Sequence, residues 1–500
     1  MPRFLSRAGT HIDDLERQLA RVGSAGNDDG SDNHEEIEEE EYSDSHSTSQ
    51  PAETSALLSS KKSADAPASY NSLSSPSLRP KRRRFRRRVS ADAPRKLGTW
   101  DGVFMPVMLS IWGILVFVRM GYFISQVGII GTVGAFVGGY TITTMTTLSI
   151  SAISTNGTVK GGGPYYMLSR SLGPEFGGSI GLMFYAGTLL AGVLNDVAFV
   201  EPLLNNFGQD IGDVAQVFPE GKWWCILYNS VLLIFCTIVC LTGAQMFAKA
   251  STALSTLIIA ATVSIFVSFC IQTPFVHKEK HIRYTSWSMA TFKENLWPDL
   301  APIAEGKPAE TLGTVFGVLF PACVGIMAGA SMSSNLRKPG KSIPKGTLLA
   351  VFITFFLYIG VATMLGATTH RSTLRQNFNV LQEINVVPLL IPIGAITTSV
   401  TSTLSGLLSS ASIMQAIAKD DLFGFLRPFK RVDRSDNPVN AIILTYVISQ
   451  LALFAGDINA VAPYTTMFNL IMFGFVNLAC LVLKLAASVN FRPTFHYFKA

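Results

Sequence analysis

The stretch F-P-A-C-V-G-I-M-A-G-A-S-M, Phe320 to Met332, constrains this chain more than any other. It lies within an apolar segment long enough to cross a bilayer. Pro321 nevertheless removes a backbone donor there, and Gly325 and Gly329 loosen the chain just beyond, so a helix should break. A break at membrane depth leaves N–H and C=O groups that lipid cannot satisfy. It survives only where those groups line a cavity and hold something polar. The start of the second half-helix then attracts an anion, and unwound carbonyls attract a cation.

Composition agrees with a membrane setting. Of 500 residues, 48% are hydrophobic and only 15% charged, and the mean hydropathy is +0.34. A polytopic membrane protein is expected rather than a soluble enzyme. The net charge of +6 is local, with acids crowded at Glu35 to Glu41 and bases at Lys81 to Arg88. All six cysteines fall in apolar segments, with no paired framework. No phosphate loop, metal-ligand cluster or nucleophile with a base stands out, so neither an enzyme nor a bound metal or cofactor is expected.

Residues 1–96 read as a disordered cytosolic tail, too poor in apolar surface to offset chain entropy. Ile12, Leu15, Leu19 and Val22 recur at helical spacing and mark a short solvated helix or a docking segment. Glu53, Leu57 and Leu58 form an acidic dileucine pattern of the kind sorting adaptors read, which suits a vacuolar or endolysosomal membrane, with the plasma membrane as the alternative. The basic run before the first span reads as an anchor on anionic lipid rather than a nucleic-acid site, each basic residue contributing roughly 1 kcal/mol. Arg87-Arg88-Val89-Ser90 matches a basophilic kinase site, where phosphate would weaken that anchor.

From residue 97 to 500 the chain reads as one transmembrane domain. Ten spans are expected near 102–127, 129–154, 176–204, 223–246, 250–275, 311–332, 346–369, 385–417, 438–456 and 460–485. Basic residues after spans two, six and eight put those loops and the N-terminal tail in the cytosol. Spans one and six open the two halves of five, and each carries a Pro upstream of a Gly: Pro106 and Gly113, Pro321 and Gly325. Interrupted helices at matching positions point to an inverted-repeat transporter with its site at midplane.

Charges inside the spans are few. Arg119 and Glu201, at similar depth toward the outer ends of spans one and three, are expected to pair as an outer gate. Asn195 and Asp196 lie deep in span three, where neighbours point about 100° apart. Asn195 is expected to face the cleft, and Asp196 to bond a neighbouring helix.

Gly162 to Leu182, G-P-Y-Y-M-L-S-R-S-L-G-P-E-F within it, resembles the loop and third span of cation-chloride cotransporters, in the amino acid-polyamine-organocation superfamily. Pro321 to Gly329 with Lys341-Ser-Ile-Pro-Lys-Gly346, Gln415 to Asp421 and Phe491 to Tyr497 extend the resemblance from about Leu97 to the end, and the tail is most similar to the fungal vacuolar potassium-chloride branch. The resemblance implies an all-α, LeuT-type 5+5 inverted repeat with helices 1 and 6 broken, and a homodimer. It also implies twelve spans and a cytosolic C-terminal domain, so the last two spans and that domain are expected to be missing from a chain that stops at Ala500.

Carried over by position, one chloride site uses the amides of Gly113, Ile114 and Leu115, and the other those of Gly325, Ile326 and Met327. The family's span-ten tyrosine falls on Phe473, which removes a donor from the second site. The cation site keeps oxygens at Ser110, Ile111 and Pro321, while the family's potassium-binding tyrosine becomes Asn195 and its span-six threonine Val324. Thr401-Ser402 stands where sodium-coupled members carry two serines. The implied activity is electroneutral symport of a monovalent cation, potassium favoured, with chloride by alternating access. Three alternatives stay open: sodium-coupled symport, a non-transporting regulatory subunit, and an amino-acid or polyamine carrier, against which Trp112 and Phe473 are expected to narrow the cleft.

Overall fold

A computed structural model describes residues 97–155, 163–210, 212–242, 244–277, 280–302, 309–331, 333, 336–377, 379–432, 437–455 and 458–485. These all fall within the compact unit Arg88–Ala500. The tail, with its dileucine pattern, basic run and kinase motif, lies outside the described residues, as do Gly162 and Phe491 to Tyr497.

The first apolar run, Trp100–Ser154, is 55 residues long, about 80 Å if straight, and so far more than one bilayer. A π turn at Trp100–Phe104 leads into α1 (Met105–Ile111), and after three residues out of helical register α2 (Leu115–Ser154) begins. Pro106 sits at the junction where the π turn passes into α1. Gly128 divides α2 into spans one and two, with φ 68° and ψ 178°. Only glycine adopts that conformation readily, and a Cβ there would lie 2.6 Å from the Trp297 carbonyl carbon.

Next come α3 (Gly163–Leu172), α4 (Pro174–Ala198), α5 (Val200–Phe207), α6 (Lys222–Thr242) and α7 (Ala244–Ile271). Here α4 with α5 forms span three. A hairpin of β1 (Phe275–His277) and β2 (Ile282–Tyr284), antiparallel with Val276 opposite Arg283, precedes α8 (Met289–Leu296). Span six comprises α9 (Leu312–Leu319), a 3₁₀ turn at Phe320–Cys323 and α10 (Met327–Ser331). Thr311 caps α9, its hydroxyl accepting from Thr314 N–H. Then follow α11 (Pro339–Thr368), α12 (Arg371–Gln376), α13 (Val380–Ile384), α14 (Leu390–Lys419), α15 (Val439–Ala452) and α16 (Ile458–Leu485).

Among the described residues, eight runs are long and apolar enough to cross a membrane, the first long enough for two passes, and α15 is a shorter apolar helix between α14 and α16. Each of the ten expected spans thus coincides with apolar helix, the ninth with this shorter one. The first run and span eight are the most enclosed, with spans three and six next, while α6, α7 and α11 expose apolar side chains such as Phe235, Val263 and Phe352. A bundle of spans lined inside and greasy outside follows from solvation by lipid rather than water.

Candidate functional site

Both interruptions fall where Pro and Gly placed them. In span one, Trp112 takes φ −72° and ψ 65°. In span six, Val324 turns extended and Gly325 adopts φ +125°. The two breaks touch: a Cβ on Gly325 would lie 2.7 Å from the Ser110 carbonyl carbon and 2.8 Å from the Ile111 nitrogen.

Between them lies a cavity of about 50 Å³, bounded by Ser110, Gly113 and Leu115 of span one, Pro321, Val324, Gly325 and Met327 of span six, Asn195 of span three, Ser402 of span eight and Asn469 of span ten. At roughly 10–15 Å³ per water on this measure, it holds about three to five water-sized bodies. No charged side chain lines it. Spans three and eight close one wall by backbone contact, since a Cβ on Gly406 would come within 2.7 Å of the Gly192 Cα.

Each break is braced by a helix of the opposite half. Tyr358 on span seven donates to the Ile111 carbonyl at 2.8 Å, and Thr143 on span two donates to the Cys323 carbonyl at 3.0 Å. Spans two and seven occupy equivalent places in a five-plus-five repeat. The sequence reading named neither residue, and only the pairing of halves reveals them.

The expected site residues separate into two groups. Ser110, Gly113, Leu115, Asn195, Pro321, Gly325, Met327 and Ser402 line the cavity, whereas Ile111, Ile114, Ile326 and Thr401 are buried behind it. Backbone amides can still serve from that position. Those of Ile114, Leu115, Gly325, Ile326 and Met327 have no acceptor among the described residues, whereas Gly113 N–H is committed to the Ile111 carbonyl at 2.7 Å. That carbonyl, taken also by Tyr358, has both lone pairs occupied, so Ile111 drops from the cation set. Asn195 donates its amide to the Ala191 carbonyl at 2.8 Å, leaving Oδ1 beside Gly113 and toward the cavity. Pro321 carbonyl accepts from Val324 N–H at 3.3 Å, a long bond that leaves it one lone pair.

Thr401 returns its hydroxyl to its own helix, 3.0 Å from both the Thr397 and Thr398 carbonyls, while Ser402 reaches across to the Leu109 carbonyl at 3.2 Å. The two hydroxyls therefore do not converge. Asp196 corrects a further expectation: it is fully buried, yet neither carboxyl oxygen has a partner among the described residues. Trp112 and Phe473 are also corrected, since neither ring lines the cavity, and Phe473 packs edge-on against Phe320 with centroids 6.1 Å apart.

Arg119 Nη1 donates to Glu201 Oε1 at 2.7 Å, toward the outer side. On the opposite side Tyr165 of α3 donates to Asp420 Oδ2 at 2.6 Å, just beyond the end of α14. Burial, then the Asp420 bond, pushes the Tyr165 hydroxyl well above its usual range, so it stays a donor.

A bundle with two interrupted helices around a small uncharged cavity has the architecture of the inverted-repeat, broken-helix class of secondary transporters. The amino acid permease family model matches residues 102–500, and the chain belongs to that family. Vacuolar cation-chloride cotransporter 1 of Saccharomyces cerevisiae is 41% identical over 89% of this chain and 40% of its own length. Solute carrier family 12 member 9 of Danio rerio is 41% identical over 81% of this chain and 47% of its own. The chain thus spans less than half the length of these relatives, and they bear out the resemblance to cation-chloride cotransporters. A solved nucleobase-cation-symport-1 transporter, Mhp1 in a closed conformation, covers 80% of this chain and 78% of its own at 13% identity with a TM-score of 0.41, too low to carry weight here.

Proposed function

We propose that this protein carries a monovalent cation, potassium in preference to sodium, together with chloride, as an electroneutral symporter working by alternating access. The observation that carries this reading is the lining of the cavity. Unpaired amides on both broken helices suit an anion, and the carbonyls of Ser110 and Pro321 with Asn195 Oδ1 suit a weakly hydrated cation. With no fixed charge nearby, each ion is the other's counter-charge, so neither enters a low-dielectric site alone at moderate cost.

A polyamine or a large amino acid is disfavoured by volume, because the cavity holds only about three to five water-sized bodies. Sodium coupling is disfavoured by Thr401, which is buried behind the cavity rather than lining it. The non-transporting regulatory subunit stays distinct by experiment: it gives no chloride-dependent rubidium uptake when expressed alone.

Arg119 with Glu201 would form the outer gate and Tyr165 with Asp420 an inner latch. The yeast relative's name and the Glu53, Leu57, Leu58 pattern together favour the vacuolar membrane. A sorting adaptor and a kinase acting on the tail, and a homodimer, complete the proposal. The test is flux in isolated vesicles with sodium, potassium and chloride replaced singly. Loss of flux without chloride or without potassium is expected; loss without sodium overturns the ion pair chosen here.

A further inference from the structure

We infer that Ser405 and Ser409 of α14 supply anion-binding hydroxyls to the cavity, facing the free amides of Gly325 to Met327. Ser402, Ser405 and Ser409 follow at intervals of three and four, which sets them on one helical face. All three line the same cavity as the two breaks. Their commitments differ. Ser402 donates to the Leu109 carbonyl, but Ser405 and Ser409 have no hydrogen-bond partner among the described residues, although each is only 6% exposed.

Most hydroxyls of this helix are bonded, Ser399 being a further one without a partner among the described residues, although it lies away from the cavity. Thr397, Thr398, Thr401, Ser410 and Ser412 all return their hydroxyls to carbonyls of the preceding turn. Unlike the Ser399 hydroxyl, which is sealed off without a partner, the Ser405 and Ser409 hydroxyls open onto the cavity, where an occupant can accept their protons.

The donor balance says which ion. On the wall formed by spans three and ten, Thr188 has given its proton to the Phe184 carbonyl, Asn469 both amide protons to the Gly187 and Thr465 carbonyls, and Asn195 one of its two to Ala191, so this wall is richer in oxygen lone pairs than in donors. Across from them, α10 packs against α14, and the amides of Gly325, Ile326 and Met327 have no acceptor among the described residues. Two hydroxyls on α14 and the amides at the span-six break, set around one cavity, suit a halide. They also make good the donor absent at Phe473, whose ring is turned into the core.

This inference rests on the proposed symport. In vesicles bearing the full chain, rubidium uptake is measured against chloride, bromide and rubidium concentration for the wild type, Ser405→Ala, Ser409→Ala, the double variant and Ser405→Thr. The half-saturating chloride concentration is expected to rise about tenfold for each alanine, the usual weight of a hydrogen bond to a charged group. Ser405→Thr should recover most of the loss, and half-saturation by rubidium should move less than twofold. Ser412→Ala, whose hydroxyl is bonded to Leu408, serves as the control. Unchanged chloride dependence in the alanine variants, or a shift in rubidium instead, overturns the inference. A wild type without chloride-dependent uptake overturns the symport reading, which keeps the two failures distinct. Folding is followed separately by monodispersity after extraction, so a misfolded Ser409→Ala leaves Ser405→Ala and its threonine rescue to decide.

Discussion

Tyr358 holds the Ile111 carbonyl at 2.8 Å across the boundary between the two halves of the bundle. The bond fixes the point at which span one leaves its helix, because that same carbonyl also receives Gly113 N–H. Tyr358→Phe should remove about 1 kcal/mol of stability. The cation half-saturation should rise as the Ser110 carbonyl beside it loses its fixed position. Thermal unfolding in detergent and rubidium titration of uptake check the two effects; no change in either would show that the break holds its shape unaided.

Gly325 tolerates no side chain. At φ +125° and with the Ser110 backbone 2.7 Å from any Cβ, Gly325→Ala must move one broken helix away from the other. Uptake should fall more than tenfold, while Gly474→Ala, which meets nothing within 4 Å, should leave it unchanged. Near-normal uptake by Gly325→Ala would mean that the contact between the breaks is dispensable.

The pair of Arg119 and Glu201 is partly enclosed, with side chains 9% and 26% exposed. Removing one partner leaves a buried charge, which costs more than losing both. Arg119→Gln and Glu201→Gln should each depress uptake severalfold, and the double variant should recover much of it. Strictly additive losses in that double-mutant cycle would show that the residues act independently.

Thr401 and Ser402 are adjacent in sequence but differ in partner, so their alanine variants should diverge. Thr401→Ala should change uptake less than twofold, because its hydroxyl only doubles a helical bond. Ser402→Ala leaves the Leu109 carbonyl, one residue before the cavity-lining Ser110, without its hydroxyl partner and should shift the cation half-saturation severalfold. Equal losses, each relieved by high sodium, would instead favour a two-hydroxyl sodium site.

The ten spans and both interruptions were legible because lipid imposes length and apolarity on each span, and Pro with Gly marks where backbone is released. Pro321 with Gly325, and Pro106 with Gly113, carried that signal directly. The bracing by Tyr358 and Thr143 was not legible, since it depends on which helices cross. Ser405 and Ser409 were likewise hidden in a helix with many hydroxyls, where only packing separates those turned to the cavity from those bonded to their own turn. Thr401 misled for the same reason. Asp196 misled because an acid in a span is expected to find a partner, and here its oxygens have none among the described residues.

Coupling between the two ions is the heart of the account, and simultaneous rubidium and chloride flux into proteoliposomes under a clamped membrane potential reads it most directly. The account predicts that each flux vanishes without the other ion, that the two match one for one, and that stepping the potential leaves the rate unchanged. Rubidium entering without chloride, or a net current that follows the potential, would contradict it.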